Sequence, residues 1–106
     1  MVVAAGAVEL QERSPGKFAA SGPLTFATAR RARESGLAAF GAANSRELEV
    51  DCSGVTSSDS AGMTVLLDWL AIAKRAGRSM HFTSLPEQVQ GLARISDVLE
   101  LLEKGV

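Results

Sequence analysis

The sequence has very few of the residues that build catalytic, metal or nucleic-acid sites. It contains no tyrosine, one tryptophan, one cysteine and one histidine in 106 residues. Aromatic residues make up only 5% of the chain, which disfavours an aromatic platform for single-stranded nucleic acid. The single cysteine, Cys52, cannot form a disulfide within the chain, and this fits a reducing compartment. One histidine and one cysteine are also too few for a zinc site.

The sequence also lacks an excess of charge and a long apolar run. Eleven Lys and Arg oppose twelve Asp and Glu, so no basic surface for nucleic acid is expected. The longest apolar stretch, 61–73, is shorter than the roughly 20 residues that span a bilayer. The apolar start, 1–8, carries no basic residue and is too short for a signal peptide. We therefore expect one soluble cytoplasmic domain over residues 1–106.

Apolar residues make up 46% of the chain, enough for one hydrophobic core, and their spacing predicts alternating strands and helices. Two strands flank a turn at Ser14-Pro15-Gly16, and a strand then precedes each of two helices. Such units favour parallel strands with helices packed on the sheet, an α/β fold. The predicted elements are strands 7–13 and 17–21, a helix from Phe26 capped by Thr25, strand 47–52, helix 61–76, strand 79–83, a helix beginning at Pro86 and a short helix around 98–102.

The junction between strand 47–52 and helix 61–76 is the most informative segment. Residues 53–59 are predicted to form a polar loop, with Asp59 capping the helix and Ser60 in its first position. A phosphate on Ser60 would be tolerated beside the free N–H groups and the positive end of the helix dipole. Gly62 indicates close approach of another backbone. On spacing alone, however, the favoured explanation is structural: Ser60 is a serine of the capping region and Gly62 only packs on the sheet.

The apolar residues of helix 61–76 cover well over half of its circumference. Only Thr64, Asp68, Ala71 and Arg75 form a narrow, mostly polar stripe. The surplus apolar surface must contact neighbouring helices or a partner protein. Neighbouring helices explain most of it, and a partner is credible for the first turn.

No pattern in the chain indicates catalysis. There is no G-x-x-x-x-G-K-[ST] phosphate loop and no G-x-S-x-G elbow. Cys52 lies on the same predicted strand face as Leu48 and Val50, which predicts a buried small hydrophobic residue. His81 is expected to be a partly exposed strand residue. We therefore expect a protein that is not an enzyme and that needs no metal or cofactor.

Residues 51–63, with Asp51-Cys52-Ser53-Gly54-Val55 and Asp59-Ser60-Ala61-Gly62-Met63, resemble the signature of the STAS domain family. Gly22-Pro23-Leu24-Thr25-Phe26 resembles the family's turn into its first helix. Phe82–Gln88 is similar to the LP-x-Q form of one branch, the small MlaB subunit of a phospholipid ABC transporter. The resemblance covers nearly the whole chain. It implies a mixed sheet with helices packed on one side.

The resemblance also implies a partner and a site. In the MlaB branch, the position of Ser60 lies at the contact with the ATPase subunit, so the chain would reach the membrane only through that complex. In anti-sigma-factor antagonists, the same position is phosphorylated by a partner serine kinase. The sequence departs from the family pattern at three positions. Ser60 stands where the MlaB branch usually has Thr, Ala61 where antagonists commonly have a second Ser, and Cys52 where a Leu or Phe is frequent. A nucleotide or small-molecule binder is a third alternative. The implied partner-binding residues are Asp59, Ser60, Ala61, Gly62, Met63 and Thr64.

Overall fold

The computed structural model describes residues 8–106, so the predicted strand residue Ala7 lies outside the described part. The described chain alternates strands and helices in the predicted order. The elements are β1 (Glu9–Ser14), β2 (Lys17–Leu24), α1 (Ala29–Ala42), β3 (Glu47–Ser58), α2 (Ser60–Arg75), β4 (Ser79–Thr83), α3 (Glu87–Ile95) and α4 (Leu99–Lys104).

The four strands form one mixed sheet in the order β1-β2-β3-β4. β1 and β2 are antiparallel and form the predicted hairpin, whose turn contains Gly16 with a φ of 79°. The left-handed backbone at this position favours glycine. β2, β3 and β4 are parallel, because a helix connects each strand to the next.

The alternation along β3 separates the two faces of the sheet. Leu48, Val50 and Cys52 are buried in the core, while Glu49 lies on the opposite, polar face. His81 of β4 faces Glu49, with 3.2 Å between its Nε2 and the Glu49 Oε1. The apolar face is covered by the helices, which confirms the expected one-sided α/β arrangement.

α2 lies at the centre of the helical layer and contacts both α1 and α3. Trp69 is fully buried and packs edge-on against Phe40 of α1, with ring centroids 5.4 Å apart. Thr64, Ala71 and Arg75 are exposed, as the polar stripe predicts. The wide apolar surface of this helix is therefore largely explained by helices of the same domain.

Three predicted boundaries were wrong by three or more residues, and all lie at the same edge of the sheet. β2 was expected to end at Ser21, but it continues to Leu24. Residues 53–58 were expected to be a loop, but they continue β3 because they pair with the second half of β2, for example Gly22 with Val55. α1 begins at Ala29 rather than Phe26, and its N-cap residue is Thr28 rather than Thr25. Pairing between distant segments extended the strand although its polar sequence carries no strand periodicity.

Candidate functional site

The candidate site lies where β2 and β3 end and α1 and α2 begin. Because β2 and β3 are adjacent and parallel, their carboxyl ends meet at one edge of the sheet, and the two helices start there. A single residue, Asp59, separates the end of β3 from the start of α2. The predicted loop is thus replaced by an abrupt strand-to-helix junction.

Asp59 joins the two helix starts through both of its carboxylate oxygens. Its Oδ1 accepts a hydrogen bond from the Gly62 amide at 3.1 Å, which confirms the predicted helix cap. Its Oδ2 accepts from the Phe26 amide at 3.0 Å, in the turn before α1. The bond from the Phe26 amide, followed by that from Gly62, lowers the pKa of Asp59. The carboxylate is therefore stabilised in its charged form, and it fixes the position of one turn relative to the other.

Ser60 is exposed in the first position of α2, as predicted. Its backbone carbonyl accepts a hydrogen bond from the Thr64 hydroxyl at 3.0 Å. Ala61 between them is partly exposed and Thr64 is exposed. Together, Ser60, Ala61 and Thr64 form a surface with small side chains beside the helix N-terminus, which a partner can approach closely. We call these three residues the α2 face.

Gly62 and Met63 are buried, in contrast to their neighbours. A side chain at Gly62 would collide with the backbone carbonyl of Leu24, and this confirms the predicted close approach of another backbone. Met63 was expected on the exposed first turn and as a partner contact. That expectation was wrong, because Met63 is only 8% exposed and packs in the core. The accessible part of the predicted site is therefore the α2 face, with Asp59 beside it.

Gln88 of α3 supports the site from the other side. Its Oε1 accepts a hydrogen bond from the Ser58 amide at 3.1 Å, which holds the last residue of β3 in place. Gln88 is the last residue of the LP-x-Q segment. In this chain the glutamine of that segment thus helps to position the strand end that leads into Asp59.

Phe26 is the site residue that the sequence pattern missed. The sequence pattern placed it at the start of the first helix, yet it precedes that helix and its side chain is 84% exposed. A useful signal was present in the sequence, since Thr28 is as good a capping residue as Thr25. A helix starting after Thr28 leaves Phe26 outside its apolar stripe.

Within the described residues, neither Cys52 nor the carboxylates form a reactive or metal-binding site. Burial, with a smaller contribution from the charge of Asp51, raises the pKa of the Cys52 thiol to about 12, so it is not a nucleophile at neutral pH. Within residues 8–106, no group of three or more His, Cys, Asp or Glu is placed to hold a metal ion. No helix in the same range is long and apolar enough to cross a membrane.

The fold of the chain is that of a STAS domain, a class of module that mediates protein–protein contacts. The family model described as "Mlab, STAS domain" matches residues 8–103. The chain therefore belongs to the MlaB-like STAS family, which confirms the resemblance seen in residues 51–63. No curated protein matches the sequence significantly.

Two solved structures illustrate the shared fold. The anti-sigma factor antagonist SpoIIAA in its unphosphorylated form is 12% identical, with a TM-score of 0.62, over 83% of this chain and 82% of that chain. The murine anion transporter Slc26a9 in its inward-facing state is 24% identical, with a TM-score of 0.65, over 84% of this chain. That match spans only 15% of the transporter, so the chain corresponds to a small part of it.

Proposed function

We propose that this protein is the non-enzymatic STAS subunit of a phospholipid ABC transporter and that it binds the transporter's ATPase subunit. It would act in the cytoplasm, at the inner membrane through its partner, in retrograde phospholipid transport that maintains outer-membrane lipid asymmetry. The observation that carries this proposal is the MlaB-like family match over residues 8–103. The chain would contribute binding and no nucleotide hydrolysis of its own.

The α2 face is the contact that we assign to the ATPase. Ser60 and Thr64 are exposed and Ala61 is partly exposed, so the backbone of the first helical turn can be approached closely. The other residues of the predicted site support this surface from below. Asp59 caps the helix, Gly62 allows its first turn to contact Leu24, and Met63 packs in the core. A surface of such small side chains fits closely against a partner only if these side chains remain small.

Substitution of Ala61 by Arg tests this assignment. The long charged side chain should abolish co-purification with the ATPase, because it would be desolvated and unpaired at the centre of the contact. Ala76→Arg is the matched control, since Ala76 is exposed at the opposite end of the same helix. The measurement is affinity purification of the tagged chain, with the thermal midpoint of each variant recorded. A complex that survives Ala61→Arg would place the interface elsewhere.

A second candidate is an anti-sigma-factor antagonist switched by phosphorylation of Ser60. The observations that favour it are the likeness to SpoIIAA and the exposed serine beside a helix N-terminus. In that case the partner recovered with the chain would be a serine kinase rather than an ABC ATPase. The identity of the co-purified protein therefore separates the two candidates.

A further inference from the structure

Phe26 is unusual among the aromatic residues of this chain. Phe18, Phe40 and Phe82 are at most 4% exposed and Trp69 is fully buried, whereas Phe26 is 84% exposed. Aromatic side chains are enriched in protein interfaces, where their large apolar surface is removed from water. An exposed phenylalanine beside the α2 face is therefore a candidate contact residue.

The turn that carries Phe26 is held rigidly. The Thr28 hydroxyl accepts a hydrogen bond from the Thr25 amide at 3.0 Å and donates one to the Pro23 carbonyl at 2.9 Å. The Phe26 amide donates to Asp59, so the turn is also bonded to the start of α2. A backbone turn that is ordered before binding loses little conformational freedom in the complex, which favours affinity.

The first turn of α1, next to Phe26, carries arginines where a helix start favours acids. Arg30 and Arg31 occupy this turn, and it contains no acidic residue. Cations at the positive end of the helix dipole destabilise the helix slightly, so helix stability does not explain them. Arg30 has only a long, exposed contact with Glu34, at 3.9 Å. Arg31 has no ion pair within residues 8–106 and is exposed.

We propose that Phe26 and Arg31 dock against an acidic protein surface with an apolar recess, carried by the same ATPase subunit that meets the α2 face. This inference rests on the proposed function and extends its interface from α2 to α1. Phe26 supplies the apolar contact, in a turn that the bond from its amide to Asp59 joins to the start of α2. Arg31 supplies an unpaired cation in the first turn of α1. Arginine is enriched among the residues that contribute most to binding energy, and phenylalanine is enriched at interfaces in general.

A protein partner fits this surface better than an anionic membrane. Recognition of acidic lipids uses clusters of about 4–8 basic residues. On α1, Glu34 and the neighbouring Asp68 of α2 lie near Arg30 and Arg33, so the local positive charge is small. Binding to a membrane is therefore the competing outcome of the test.

The test is titration of the purified chain against the purified ATPase subunit of the phospholipid transporter from the same organism. Phe26→Ala and Arg31→Glu should each raise the dissociation constant by about tenfold or more. Ile95→Ala and Arg94→Glu are matched controls. Ile95 is 85% exposed, and neither Arg94 nor Arg31 has an ion pair within residues 8–106. Both controls should bind like the wild type, and added salt should weaken wild-type binding more than Arg31→Glu binding.

The outcomes distinguish this inference from the proposed function. If Ala61→Arg abolishes binding while Phe26→Ala and Arg31→Glu bind normally, the proposed function stands and this inference is wrong. If the wild type does not bind the ATPase, both fail together. Binding of the wild type, but not Arg31→Glu, to phosphatidylglycerol vesicles would replace the protein partner by a membrane and overturn the inference.

Discussion

Asp59 shows how one carboxylate can organise a binding surface without taking part in chemistry. Each of its two oxygens accepts one backbone N–H, from Gly62 and from Phe26. An amide side chain in the same position has an NH2 group in place of one oxygen, so it keeps only one of these two bonds. The residue therefore links the α2 face to the turn that presents Phe26.

Asp59→Asn should lower the thermal midpoint by several degrees at pH 7, because one of the two bonds is lost. The pKa of Asp59 is lowered in the folded state, so its stabilisation is fully present above the unfolded value, near 4. It is lost as the pH falls through the folded value. The difference between wild type and variant should therefore shrink below about pH 4. Thermal unfolding from pH 7 to pH 2 measures this.

Glu103→Gln is the control for that titration, because Glu103 is exposed and has no ion pair within residues 8–106. Its midpoint should follow the wild type at every pH. A constant difference between Asp59→Asn and wild type over the whole range would show that the charge of Asp59 does not stabilise the fold.

At the scale of elements, α2 starts where it does because Gly62 lets its first turn lie directly on the end of β2. A Cβ atom at this position would overlap the Leu24 carbonyl, which is rigid backbone rather than a flexible side chain. The position of the α2 face relative to the sheet is therefore set by the absence of one methyl group.

Substitution of two helical glycines by alanine should change the free energy of unfolding in opposite directions. Gly91→Ala in α3 should stabilise the protein by about 0.5–1 kcal/mol, because nothing lies within 4 Å of the added Cβ. Gly62→Ala gains the same helix propensity but must move α2 away from Leu24. We expect it to destabilise the protein by roughly 1–3 kcal/mol. Urea unfolding measures both, and equal stabilisation would rule out a tight contact at Gly62.

The sequence predicted the features that depend on local patterns. The alternation in 47–52, the cap at Asp59 and the order of elements all follow from neighbouring residues, and the structure confirms them. Features that depend on distant partners were missed or misplaced. Residues 53–58 became strand through pairing with β2, and Met63 became buried by packing of α2.

Arg78 is a further example of a role that no local pattern reveals. From its position after α2, a cation is expected to interact with the end of that helix. Instead its guanidinium donates to the carbonyls of Phe40, Ala43 and Ser45, at and just beyond the end of α1. These acceptors lie 33 to 38 residues away along the chain. For the same reason, the candidate site was only partly predicted. Its α2 residues are neighbours in the sequence, whereas Phe26 comes next to them only in the folded chain.

For the whole molecule, the decisive question is what a negative charge at Ser60 does. Phosphorylation adds about −1.5 to −2 charges next to the helix N-terminus, where an exposed anion is stabilised by roughly 0.3–1 kcal/mol. The charge of Asp59 beside it opposes this gain. The folded domain should therefore tolerate the modification, and its effect should fall on the partner, where an unpaired charge would be desolvated.

Ser60→Asp and Ser60→Ala compare the two candidate functions in one experiment. Both variants should keep a thermal midpoint close to that of the wild type, as should Ser57→Asp, a control at an exposed serine of β3. In the transporter, Ser60→Ala should still bind the ATPase, since the contact needs no phosphate, and Ser60→Asp should weaken the complex. In the signalling protein, the same pair should instead change binding to a serine kinase whose phosphate acceptor is Ser60. The measurement is a pull-down of each variant from native lysate with mass spectrometry of the bound proteins. Recovery of a serine kinase without an ABC ATPase would overturn the transporter assignment, because a subunit of that complex must bind its ATPase whether or not Ser60 is modified.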